Sequence, residues 1–141
     1  MARDRRQQRK GRRTSGTFTL LPHSVMDAPA FMNCRPSALK LLLDLSRQLN
    51  GRNNGGLIAT FSKMKERGWR STSTLEAAKK ELISAGLIEQ TRQGGLAQGA
   101  RVPSLYAVTW LPIDEISDKA GNNILDVAPT RVASGKWREK N

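Results

Sequence analysis

One cysteine, one histidine and seven aromatic residues are all that this 141-residue chain offers of the side chains that carry metal sites, thiol chemistry and base stacking. The lone Cys34 excludes an intramolecular disulfide, and no Cys/His cluster with zinc spacing can be assembled around it. No metal and no cofactor is therefore expected. Long apolar runs are missing as well: none approaches the ~18 residues of a spanning helix, and the basic N-terminus is not followed by the apolar stretch of a signal peptide. The expectation is an unexported, cytoplasmic protein without a membrane partner. Acids are the other shortage, 12 against 24 lysines and arginines, which leaves a formal charge of +12. A field of that size and sign suits a polyanion. The length fits one domain with short tails, and an apolar content of 38% places part of the chain outside a packed core.

The charge is unevenly spread. Arg3, Arg5, Arg6, Arg9, Lys10, Arg12 and Arg13 face a single acid, Asp4, so the first thirteen residues carry +6. With no apolar side chain beyond Met1 and Ala2 to offset the entropy of ordering, residues 1–16 are expected to form a disordered basic arm. Residues 114–141 are neutral, and Ile124, Leu125, Val127 and Trp137 follow no period, so this tail is expected to be partly docked or disordered. Residues 17–113 then form the folded body, which keeps a positive excess of its own. No internal repeat is present.

Within the body, Phe18–Leu21 reads as a short extended stretch, and Pro22, Pro29 and Pro36 forbid a long helix across the segment that follows. Ala38, Leu41, Leu42, Leu45 and Leu49 recur at helical steps, predicting a first helix over 37–49 that ends at Asn50-Gly51. The loop 51–56 is turn chemistry, and Leu57-Ile58 is an apolar pulse that suits a short strand. Thr60 is placed to cap a second helix running to Arg67, with Gly68 after its end and Trp69 returning to the core. For the third helix Ser71 and Ser73 compete as caps, and Ser73 with Glu76 matches the S-x-x-E capping box. Leu75, Ala78 and Leu82 form its apolar stripe, Ala85-Gly86 ends it, and Ser73, Glu76, Ala77, Lys80 and Ser84 fall on the opposite face. Strands are predicted over 87–92 and 104–111, the second with two faces that are both at least half buried. Between them, residues 93–100 read as a flexible, glycine-rich hairpin tip between Arg92 and Arg101.

The run Gly68-Trp69-Arg70-Ser71-Thr72-Ser73-Thr74-Leu75, followed by Ala78-Lys79-Lys80-Glu81-Leu82, Ala85-Gly86-Leu87-Ile88 and a last strand Leu105–Trp110, resembles the winged helix-turn-helix family of small bacterial, phage and plasmid DNA-binding proteins. The resemblance spans about residues 37–111. It implies an α+β fold of three helices plus a small antiparallel β-sheet with one wing hairpin. It also implies a non-enzymatic, sequence-specific binder of double-stranded DNA, nucleoid-associated, most simply a transcriptional regulator of a bacterium or mobile genetic element. A replication-origin or partition protein of a plasmid or phage is the alternative, as is a winged-helix interaction module whose basic face meets RNA or an acidic protein. A homodimer on DNA is compatible with this class because symmetric sites commonly demand one.

The chemistry of the residues supports DNA independently. A recognition helix needs a small, polar N-terminus so that its backbone can approach the major groove, which Ser71, Thr72, Ser73 and Thr74 provide, with Ala77 and Lys80 one and two turns on. Arg70 can reach a phosphate or a guanine edge. Glu76 is discordant, being either used in the capping box, directed at cytosine N4, or repelled by phosphate. In the wing, Arg92, Gln93, Gly94, Gly95, Gln98 and Arg101 are candidates for backbone or minor-groove contacts, and the seven cations of the arm for an adjacent groove. Other chemistry finds little support. Gly94-Gly95 has no GKS or GKT after it to make a phosphate loop, and His23 with Cys34 lacks a third catalytic member. Trp69, Tyr106 and Trp110 are better used in a core than as stacking platforms.

Overall fold

The computed structural model describes residues 16–97 and 99–139, an α+β arrangement of five short helices and two small antiparallel sheets. Residues 1–15, Gln98, Lys140 and Asn141 lie outside the described residues, and with them the seven cations of the arm.

Among the described residues five α-helices stand where three were expected, because the segment that prolines were expected to keep irregular folds into two extra single-turn helices ahead of the expected first one. Pro22 precedes α1 (His23–Met26), Pro29 opens α2 (Pro29–Met32), and Pro36 opens α3 (Pro36–Ser46). At the first helical position proline's missing N–H costs nothing and its fixed φ is already helical. The α3 bounds thus start one residue early and stop short of the predicted 49, although Leu49 still packs against the core. Thr60 caps α4 (Phe61–Lys65) by accepting the Lys63 N–H at 3.3 Å. Gly68, at φ +93°, reverses the chain behind it, and the Trp69 N–H closes back onto the Met64 carbonyl.

The longest helix, α5 (Thr72–Ser84), is capped by Ser71 and not by Ser73. Ser71 keeps extended dihedrals and accepts the Thr74 N–H at 3.2 Å, whereas Ser73 is already in the first turn and its hydroxyl meets that of Ser71 at 3.0 Å. The expected capping box does not form. Its acid, Glu76, pairs instead with Lys79 at 2.7 Å. Leu75, Ala78 and Leu82 are buried as the stripe predicts, packing α5 across α3. The Glu81 carboxylate fastens the same pair by accepting the Arg35 N–H at 2.8 Å, just ahead of α3.

Strands β1 (Leu57–Ile58), β2 (Ile88–Arg92) and β5 (Leu105–Val108) form a sheet in the order β1-β5-β2, so the last strand is central. Its two faces lie in two different cores. Tyr106 and Val108 join the helical core with Leu41, Leu45, Leu75 and Leu82, while Leu105 and Ala107 pack against Ile113 and Leu125 from the C-terminal segment. That segment therefore covers the sheet face that the helices leave open. It continues past β5 until Trp137, in a 3-10 turn over Lys136–Glu139, is buried in the helical core. The aperiodic spacing of Ile124, Leu125 and Trp137 follows from this path, since irregular chain touches the body at isolated points.

Two side-chain amides extend the sheet where strands end. Gln48 both donates to and accepts from the Ile58 backbone, at 2.7 and 2.9 Å, occupying the outer edge of β1. Asn54 does the same to Val108 at 3.0 and 2.8 Å, beyond the end of β1, and also donates to the Leu111 and Pro112 carbonyls. Its place in a polar loop suggests a turn residue, yet Asn54 is 1% exposed and serves as a buried connector.

Candidate nucleic-acid interface

Residues 93–100, expected to be one flexible tip, contain a second ladder, β3 (Gly95–Ala97) against β4 (Ala100–Val102), with Leu96 opposite Arg101. Gly99, between the two strands, takes φ +79°, which suits a tight hairpin. The base of this hairpin is fastened from several sides. Arg92 Nη2 and Nε donate to the Pro103 carbonyl at 2.8 and 3.2 Å. The Gly94 N–H donates to Ser104 Oγ at 2.9 Å, and a Cβ at Gly94 would lie 2.5 Å from the Ser104 nitrogen. The Gln93 N–H donates to Asp126 at 2.7 Å. Arg92, Gln93 and Gly94, all expected to touch a ligand, thus hold the hairpin's base, whereas Gly95 and Arg101 are exposed on its shaft. Gln98 lies outside the described residues.

On α5 the predicted outward face is the exposed one: Ser73, Glu76, Ala77, Lys80 and Ser84 all reach solvent, as do Thr72 and Thr74 of the first turn. Arg70 precedes the helix in exposed chain, and neither it nor Lys80 makes a hydrogen bond or ion pair among the described residues. Ser71 is half buried and used by its own cap. The small first turn, Glu76 and Lys80 therefore share one exposed helix face, with Arg70 in the exposed chain ahead of it.

The aim of α5 is set from behind. Asp44, on the buried face of α3, accepts from Trp69 Nε1 at 2.8 Å, Lys40 Nζ at 2.7 Å and Arg67 Nε at 3.2 Å. Lys40 also donates to the Arg67 carbonyl at 2.8 Å and stands 5.4 Å from the Trp69 ring centre. Burial pushes the Asp44 carboxyl upward, but these hydrogen bonds and the Lys40 charge outweigh it and hold the group below its ordinary range. The turn between α4 and α5 is thereby fixed to α3. The sequence carried a signal for Asp44 that spacing alone reveals: it lies three residues after Leu41, on the apolar stripe, where a charge needs partners.

Between α5 and the hairpin lies a concavity of about 330 Å³, bordered by Thr60, Glu76, Lys79, Arg101, Ser104 and Tyr106. Arg101 also borders a second, more open hollow against α4, where Lys63 and Glu66 stand. The arginine is thus a post between two hollows, flanked by lysines and by two carboxylates. Burial raises the Tyr106 phenol above its ordinary value, the Glu76 charge adds to the rise, and a hydrogen bond with Ser104 opposes it. Tyr106 and Trp69 are core members and Trp110 packs against them, so none of the three offers a free stacking face.

Among the described residues no group of three or more His, Cys, Asp or Glu side chains could hold a metal, and no helix is long and apolar enough to cross a membrane. Comparison of the chain with protein-family models, with curated proteins and with solved structures finds no match in any of the three.

Proposed function

We propose that this chain is a sequence-specific double-stranded DNA-binding protein of winged helix-turn-helix architecture, acting as a transcriptional regulator in a bacterium or mobile genetic element. In this reading α3, α4 and α5 are the three helices of the motif, α5 enters the major groove, and the β3–β4 hairpin is the wing. The observation that carries it is the outward face of α5: small and polar over its first turn, flanked by the cations Arg70 and Lys80, and mounted beside a projecting hairpin that bears Arg101. Small side chains over the first turn let the helix backbone approach base edges there, and cations ahead of and beyond that turn can reach phosphates. The order helix, short strand, helix, turn, helix, strand, hairpin, strand supports the same reading.

The test is selection from a randomised duplex pool with the full chain, followed by anisotropy on the selected and scrambled duplexes. Enrichment of one motif is expected. The double variant Arg70→Ala, Lys80→Ala is expected to lower the preference for that motif, by about 1–3 kcal/mol for each base edge that either side chain reads. Unchanged preference in that variant overturns the assignment of readout to α5. The position of the motif then separates two roles: one site over a promoter marks regulation, and tandem sites in replicating DNA mark origin binding.

A further inference from the structure

Leu96 is 79% exposed on β3 of the projecting hairpin, and most of its described neighbours there are very small. Gly95, Ala97, Gly99 and Ala100 surround it, and Arg101 stands directly across the ladder. A leucine left in water forgoes the free energy of burial, and nothing in the hairpin's own packing uses it. The adjacent glycines and alanines keep the ribbon thin.

Resting on the DNA-binding reading above, we infer that the hairpin enters the minor groove beside the α5 footprint and inserts Leu96 as a wedge between base pairs, bending the duplex. Arg101, opposite the wedge, supplies the cation that the negative potential of the groove attracts. The device needs a stiff mount, because unstacking a base step is costly and a loose hairpin would yield first. The mount is present: the Arg92–Pro103, Gly94–Ser104 and Gln93–Asp126 hydrogen bonds fasten both strands at the base, while Leu96 carries none of these restraints. Flexible TA or CA/TG steps are the ones that yield most easily to such a wedge, so the bound sequence is expected to carry one at the point where the hairpin docks.

The experiment uses the full chain and a duplex selected with it, labelled at both ends for energy transfer, with anisotropy read on the same samples. The expected result is an end-to-end shortening that corresponds to a bend of about 20–90° for the wild type. Leu96→Ala is expected to abolish most of that shortening while leaving binding within about tenfold, and Leu96→Met to retain it. Because Leu96 is exposed, neither variant removes core packing, and a matching circular dichroism spectrum checks the fold. A wild-type complex that binds tightly on straight DNA overturns the wedge and leaves the DNA-binding reading standing, as does Leu96→Ala bending the duplex fully. Absence of any duplex binding overturns both.

Discussion

Trp69 donates its indole N–H to the Asp44 carboxylate at 2.8 Å, joining the residue two before the α5 cap to the last turn of α3. Both side chains are buried at the contact, and Lys40 and Arg67 complete the shell around the acid. Replacing Asp44 by alanine leaves a buried indole N–H without an acceptor and releases the turn that aims α5. Because Lys40 and Arg67 are half exposed, their ion pairs add little, and the expected cost is about 2–3 kcal/mol, mostly from the stranded donor. Urea denaturation measures it. DNA affinity should fall further than stability explains, since the surviving folded molecules hold α5 less firmly.

The same carboxylate makes stability depend on acid. Its folded-state proton affinity is depressed, so its contribution is fully present above the unfolded value of about 4 and is lost as pH falls through the lower folded value. Melting temperature is expected to drop on acidification below that point, and Asp44→Asn to flatten this part of the profile. An Asp44→Asn protein with the wild-type acid limb assigns the acid sensitivity to other carboxylates.

Asn54 offers a sharper stability test because all of its polar atoms are engaged within the sheet. Its side chain satisfies the Val108 N–H and three carbonyls, and its backbone exchanges hydrogen bonds with Asp114 at 2.9 and 2.8 Å. Asn54→Leu keeps the branched shape, adds volume and leaves the Val108 N–H and the three carbonyls without the amide, for an expected loss of about 3 kcal/mol or more by chemical denaturation. A loss under about 1 kcal/mol would mean that water replaces the amide.

The contrast between Asn54 and its neighbours shows what the sequence made legible. Periodic burial was readable: the Leu75, Ala78, Leu82 stripe, the start of α4 at Thr60, the reversal at Gly68 and the two buried faces of β5 all follow from spacing and capping rules that act within a few residues. Long-range partners were not. Nothing in the Asn-Asn-Gly-Gly run marks Asn54 as the residue that reaches Val108, and nothing near Arg92 announces that its guanidinium folds back onto Pro103. The Ser73 capping box failed for a related reason, since two serines two residues apart both fit the local rule and only the path of the chain from Trp69 decides between them. At the candidate interface, the exposed positions Arg70, Lys80 and Arg101 were readable because exposure follows from helix face and hairpin register. Those with structural duties, Ser71, Arg92, Gln93 and Gly94, were not separable from them by residue type.

Gly86 tests how firmly the C-terminal segment is seated. It takes φ +76° at the end of α5, and a Cβ there would lie 2.7 Å from the Lys136 carbonyl oxygen. Gly121 has nearly the same backbone, φ +85°, with nothing within 4 Å, and so isolates the strain of the dihedral alone. Gly121→Ala is expected to cost about 1 kcal/mol. Gly86→Ala should cost distinctly more, with a fall in melting temperature of about 5–10 °C and faster proteolysis after Trp137 leaves the core. Equal effects for the two variants would show that the segment yields to a methyl group without loss.

The basic arm gives a prediction that separates affinity from specificity. Its seven cations precede the body by only a few residues, and the body already presents Arg70, Lys80 and Arg101. Each phosphate neutralised contributes about 0.9 to the slope of log affinity against log salt, so removing residues 1–13 is expected to make that slope shallower by several such steps. The ratio of affinities for selected and scrambled duplexes should stay within a few fold, because phosphate contacts add equally to both. Titrations of the intact and shortened chains at four salt concentrations give both quantities at once. If the ratio collapses with the arm, the arm reads bases and α5 does not act alone. If the slope is unchanged, the arm's cations do not engage the duplex and the positive excess of the body carries the electrostatic attraction.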